Sequence, residues 1–242
     1  MIEEFNKYTS KYDMNDEAIR NKYNHSIRVM NLNRKYAERL GFKSEDIELA
    51  TVIGLLHDIG RFEQVRVYHT FNDSKSIDHA LYGVKVLFED GLIKKFWNKE
   101  EDYEIIKTAI YNHNKYKMED IKDERTLMHS KLIRDIDKLD IIYLLGYLNE
   151  YTIEVTDEDI SKEVLDCIKK HESLSRKYVK NSNDELVIKF AFAFDIYNDI
   201  CLEEMKKNLK YYYDRINVDN KFKEIYEEVI KYINERIDKN VR

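Results

Sequence analysis

Apolar positions recur three and four residues apart along nearly the whole chain, the 3.6-residue period of amphipathic helices. The breaks between the periodic runs carry helix-end signals. A first helix is expected from about Asp16 to Leu40, with Gly41 just past its end. Ser44 caps a second, running through Ile47, Ala50, Ile53 and Leu56, reaching His57 and stopping near Gly60. The segment from Arg61 to Lys75 is polar and aromatic without a clear period and reads as a loop, a candidate lid. Ser76 caps a third helix ending at Gly91, and Asn98 with Glu101 resembles a capping box that opens a fourth reaching His113. A long periodic segment follows from about Asp123 to Asn149, and Thr156 with Asp159 starts another helix to about Lys170. The stretch from Asp184 to Lys239 reads as two long helices rich in Tyr, Phe, Glu and Lys.

The expected fold class is therefore all-α, a helical bundle over residues 1–150 with a helical extension over 151–242 packing on it. The histidines of interest and the strongest motifs fall before residue 140, so the chemistry is placed in the first part. The 242 residues are ample for a buried core. There is no proline and there are only six glycines, which permits long helices and nearly excludes glycine-rich phosphate loops. A phosphate would have to be handled by metal and side chains.

Net charge is -6 with the signs interspersed, which argues against a general nucleic-acid binder but not against a small phosphorylated substrate. No stretch approaches the ~20 uncharged apolar residues of a membrane span. The opening Met1-Ile2-Glu3-Glu4-Phe5 is unlike a secretory signal, and Cys167 and Cys201 match no zinc or redox spacing. The expectation is a cytoplasmic protein with reduced core cysteines. The Tyr-rich C-terminal helices are a candidate homodimer face, although core packing is the commoner use of such rings.

The chemistry begins at His57-Asp58, which ends the apolar run Ile53-Gly54-Leu55-Leu56 and precedes Ile59-Gly60. The pair alone is weak. Its context puts two ionisable groups at a buried helix end, where charge is normally paired or metal-bound. Asp137 has Ile133 and Ile141 one turn away, so its carboxylate points to the packed side of its helix. Asp140 is a second inward candidate, whereas Asp135 is a weaker one.

The order His25, then His57-Asp58, then Asp137 within Asp135-Ile-Asp-Lys-Leu-Asp140 resembles the signature of the HD superfamily of metal-dependent phosphohydrolases, over about residues 20 to 150. The resemblance implies His25, His57, Asp58 and Asp137 on one metal, with Asp58 bridging to a second held by His79 and His113. The alternative leaves His79 and His113 as packing residues and the site mononuclear. The implied reaction is hydrolysis of a phosphate ester or anhydride in a nucleotide-like small molecule, with Asp58 and His57 as catalytic residues. Mixed imidazole and carboxylate donors suit Mn, Fe, Ni, Co or Zn better than Mg alone.

Arg61, Gln64, Lys75 and Lys138 are candidate substrate contacts, with Lys138 expected to turn outward; Glu63, Arg66, Lys115 and Lys117 also lie near the ligands in sequence. His69 is expected on a loop surface, and His129 and His171 at exposed helical positions. Rival readings are an HD-fold di-iron oxygenase, a nucleotide-sensing module without turnover, and a purely structural helical protein.

Overall fold

The computed structural model describes residues 1–148, 152–218 and 220–240. It is all-α, with no strand among the described residues. The chain divides into two compact units, Met1–Ile136 and Asp137–Arg242.

The first unit begins with α1 (Ile2–Thr9), a helix that the apolar period did not bring out. Its Phe5 and Tyr8 rings lie 5.9 and 6.2 Å from Phe62, which gives this short helix its anchor. Next come α2 (Glu17–Arg39) and α3 (Ser44–Leu56), both close to expectation in extent, although Lys43 and not Ser44 stands at the cap position of α3. Asp16 caps α2 by accepting from the backbone of Ala18 and Ile19. The buried face of α2, through His25, Ser26, Val29, Met30, Asn33, Tyr36 and Ala37, lies against α3. From Leu49 to Leu56 every residue of α3 is buried, so this helix is covered on all sides rather than on one stripe. Gly54 permits the close approach of the two: a Cβ there would stand 2.5 Å from Asn33 Nδ2 and 2.9 Å from the Val29 carbonyl.

The segment expected as a loop after Arg61 instead contains α4 (Gly60–Tyr68). Its buried side is small, Gly60, Phe62, Gln64 and Val65, and a glycine and a glutamine in that face conceal its period. A turn of 3-10 helix at Asp73–Lys75 leads to α5 (His79–Val84), whose cap is Asp78 and not Ser76. The expected long third helix is broken here, continuing only as a π-helical turn over Lys85–Glu89. The helix α6 (Tyr103–Asn112) starts later than Asn98, after a 3-10 turn at Glu100–Asp102, and Asn98 does not cap it. In α7 (Glu124–Tyr143) the division between the units falls after Ile136. A π-helical turn at Leu144–Leu148 follows; the expected helix end at Asn149 and the expected boundary at residues 150 and 151 lie outside the described residues.

In the second unit the helix expected from Thr156 is α8 (Lys162–Lys169). Thr156 donates its backbone N–H to Asn183 Oδ1 rather than opening a helix. The last third holds three helices where two were expected: α9 (Ser182–Ala191), α10 (Asp199–Ile216) and α11 (Lys223–Asn240). Aromatic rings fill the space between them, with Phe190 5.3 Å from Tyr212 and Tyr213 stacked 4.2 Å from Tyr226. Among the carboxylates that the unit buries completely, Asp184 accepts from the backbone and hydroxyl of Ser161 and from the backbone of Lys180. Cys167 and Cys201 are both buried. No helix among the described residues is long and apolar enough to cross a membrane.

Candidate metal centre

Five of the expected ligand residues converge within the first unit. His25 comes from the buried face of α2, and His57 is the residue that ends α3. Asp58 follows it, in the short turn before α4. His79 opens α5, and His113 ends α6. Gly60 sets the approach of α5, because a Cβ there would fall 2.2 Å from the His79 carbonyl and 2.8 Å from the Gly83 nitrogen. Only a bare α-carbon lets the first turn of α5 lie this close to Asp58.

The carboxylate of Asp58 stands at the middle, with its side chain 4% exposed. Its two oxygens face different partners. Oδ2 is 3.4 Å from His25 Nε2, 3.5 Å from His57 Nε2 and 2.5 Å from the Lys22 ammonium. Oδ1 is 3.2 Å from His79 Nε2, 3.5 Å from His113 Nε2 and 3.5 Å from Arg61 Nε. Burial pushes this carboxyl upward, but Lys22 and the surrounding imidazoles outweigh it and hold the group well below the usual carboxylate range. Burial lowers His113 to about 4, so its ring is neutral at pH 7.

The far ring nitrogens fix how these imidazoles point. His57 Nδ1 donates to the Gly54 carbonyl at 2.8 Å, and His113 Nδ1 to the Ile110 carbonyl at 2.6 Å. His79 Nδ1 lies 2.7 and 2.9 Å from the two oxygens of Asp73. With those nitrogens carrying the protons, the Nε2 lone pairs turn inward. His79 and His113 then face each other Nε2 to Nε2 at 3.0 Å, and the Nε2 atoms of His25 and His57 lie 3.2 Å apart. Facing lone pairs beside a shared carboxylate form a donor set that fits a divalent cation. Two groups, His25-His57-Asp58 and Asp58-His79-His113, each bring their ligand atoms within 4.8 Å of one another and could hold a metal.

The remaining candidates are placed as follows. Asp137 lies in the second unit, on the last part of α7, half-buried. Asp135 and Asp140 are both fully buried, so Asp135 is not the weaker inward residue of the two. Lys138 is also buried and pairs with Asp195 at 2.9 Å, contrary to the expected outward orientation. Arg61 reaches toward Asp58 and donates to Asp73, to Gln64 and to the Phe71 carbonyl. Gln64 is fully buried, its amide nitrogen shared among Asp73, Ser76 and the Ile77 carbonyl. Lys75 and Lys117 are exposed, Lys115 pairs with Asp78, and Glu63 with Arg66.

Of the other histidines, His69 is exposed at the left-handed end of α4. His129 is buried against Asp46 at 3.2 Å, which corrects the exposed position expected for it. His171 likewise departs from expectation: it sits outside any helix with φ +55° and pairs with Glu228 at 2.8 Å.

Two residues of the centre were missed in the sequence. Lys22 stands three residues before His25 on α2, a spacing that places both on one face and was there to be read. Asp73 lies in a non-periodic turn, and no local signal links it to His79.

The sequence model of the HD domain family matches residues 23–142. Comparison with curated proteins and with solved structures returned no match.

Proposed function

The chain belongs to the HD domain family through residues 23–142, and from that premise we propose that it is a metal-dependent phosphohydrolase acting on a phosphate ester or anhydride of a small nucleotide-like molecule. The observation that carries this reading is the division of Asp58, one oxygen toward His25 and His57 and the other toward His79 and His113. In the proposal one ion would be held by His25, His57 and Asp58, with Asp137 added on the sequence resemblance, and a second would be held by Asp58, His79 and His113. A mixed nitrogen and oxygen set suits Mn, Fe, Co, Ni or Zn. When bound, such ions supply Lewis-acid charge at a phosphoryl oxygen and lower the pKa of water toward neutrality.

The chain's own residues do the rest. Asp58, held anionic by Lys22 and the imidazoles, supplies the negative charge that would draw cations to the centre. His57 is kept in one tautomer by the Gly54 carbonyl, which holds its Nε2 toward Asp58. Lys22 and Arg61 offer positive charge to a phosphate placed beside Asp58. Gln64 fixes Arg61 and Asp73 rather than meeting substrate, and Lys75 and Lys138 have no assigned role in the reaction. Residues 1–150 are the proposed catalytic part and 151–242 an extension.

Metal content by mass spectrometry, on wild type and Asp58→Ala purified without chelator, tests the reading together with phosphate release from a nucleotide panel. About two transition-metal ions per wild-type chain, largely lost in the variant, and phosphate released only by wild type are expected. Absence of metal after reconstitution with Mn or Fe would overturn it. Oxygen consumption by the iron-loaded protein without phosphate release would replace it with an oxygenase.

A further inference from the structure

Three imidazoles of the centre have their outer nitrogen against an acceptor, but the acceptors differ in kind. His57 and His113 rest on backbone carbonyls three residues earlier in their own helices. His79 rests on a carboxylate from elsewhere in the chain, and it meets both oxygens of Asp73. Asp73 is itself fixed from several directions. Arg61 Nη1 and Gln64 Nε2 each donate to its Oδ1 at 2.8 Å, and Asn114 Nδ2 lies 3.3 Å from its Oδ2. Burial raises the Asp73 carboxyl, and the bonds from His79, Arg61 and Gln64 overcome that and hold it far below its ordinary value.

A carboxylate behind an imidazole does two things that a carbonyl does less well. It fixes the proton on Nδ1, and it pushes electron density toward Nε2, making the ring a stronger metal donor. Asp73 thus stands as an anionic support behind His79 in the Asp58-His79-His113 half of the centre.

We propose that Asp73 is a positioning residue for His79, and that it sets the affinity of the Asp58-His79-His113 group for a transition-metal ion. This rests on the binuclear reading above. Asp73 does not serve as a ligand in its own right, although Asp73, Asp78 and His79 also bring ligand atoms within 4.8 Å. The oxygens of Asp78 are committed to the N-terminus of α5, to Asn114 and to Lys115. His79 would also have to turn its protonated nitrogen toward such an ion.

The test is calorimetric titration of metal-stripped protein with Co²⁺, on wild type, Asp73→Asn and Asp73→Ala, with ¹⁵N spectra of the histidine side chains. Wild type should bind two ions. In Asp73→Asn one of them should weaken about 10- to 100-fold while the other keeps its affinity, and Asp73→Ala should weaken the same ion further. The retained ion shows that the variant is folded. In the metal-free spectra, the His79 Nδ1–H signal of wild type should give way to mixed tautomers, a change that loss of packing alone does not produce. Two ions of unchanged affinity in both variants, or equal weakening of both ions, would overturn the role of Asp73. Wild type that binds no Co²⁺ would instead remove the metal reading on which the role rests.

Discussion

Asp58 in the first unit and Asp184 in the second are both buried carboxylates held below their ordinary pKa, yet they are satisfied in opposite ways. Asp184 accepts from the backbone of Ser161 and Lys180 and from a hydroxyl, donors that the fold fixes and that no ligand can replace. Asp58 is surrounded by four imidazoles and a lysine, side chains whose partner can be exchanged for a cation. The first arrangement ties the segment at Ser161 to the start of α9. The second holds charge in readiness. What separates a structural carboxylate from a functional one is thus who donates to it, and burial alone does not distinguish them.

The largest expected contrast lies in substituting these two residues. Asp58→Ala should lose transition-metal binding, and the metal-free variant should also be less stable than wild type, because Lys22 and the imidazoles lose the carboxylate between them. Adding metal at a hundred times its Kd stabilises wild type by about 2.7 kcal/mol and should leave this variant unmoved. Asp184→Ala should keep its metal stoichiometry and lose roughly 2–4 kcal/mol, because buried N–H groups are left without an acceptor. Urea unfolding with and without metal reads both effects. If Asp184→Ala lost metal in proportion to Asp58→Ala, the distinction would fail.

A second contrast comes from pH. His113 is lowered from 6.5 to about 4 by burial, so between those values the unfolded chain binds more protons than the folded one. Stability of the metal-free protein should therefore be complete above about pH 6.5 and fall as pH drops toward 4, by about 3 kcal/mol at most. Asp184, whose pKa is lowered from 3.8, should contribute undiminished through that window and fade only below it. In His113→Asn the slope between pH 6.5 and 4 should shrink by the share of His113, the remainder including His129, which burial also lowers, while the acid limb remains.

The smallest expected effect concerns Lys22. Its ammonium lies 2.5 Å from Asp58 Oδ2, where it competes with a cation for the same oxygen. Lys22→Met should tighten metal binding by up to about tenfold, or 1.4 kcal/mol, and raise KM for a phosphorylated substrate. Weaker metal binding in this variant would show that Lys22 supports the centre rather than opposing it.

The helical class and most of the centre were legible because both follow local rules. Strong periodicity located α2 and α3 nearly to their ends, and the ordered histidines and aspartates pointed to residues that the fold brings together. What was not legible depended on contacts distant in sequence. In α4 the buried face includes Gln64, a polar side chain satisfied by the turn that follows, so the hydrophobic pattern broke where the fold did not. His129 looked exposed from its neighbours and is buried because Asp46, on α3, accepts from it. The caps at Ser76, Asn98 and Thr156 were plausible local signals, but Asp78, a 3-10 turn and Asn183 took over at those places.

His57 and His113 each stand at the C-terminal end of a helix, and their rings meet with centroids 5.1 Å apart. The aligned peptide dipoles of α3 and α6 thus bring their negative poles together, each equivalent to about half an elementary charge. The backbone itself makes the space between these rings attractive to cations and uninviting to anions. The two helix ends thus add a fixed attraction for a cation at this point, while Lys22 and Arg61 provide the positive charge that a phosphate beside Asp58 would meet.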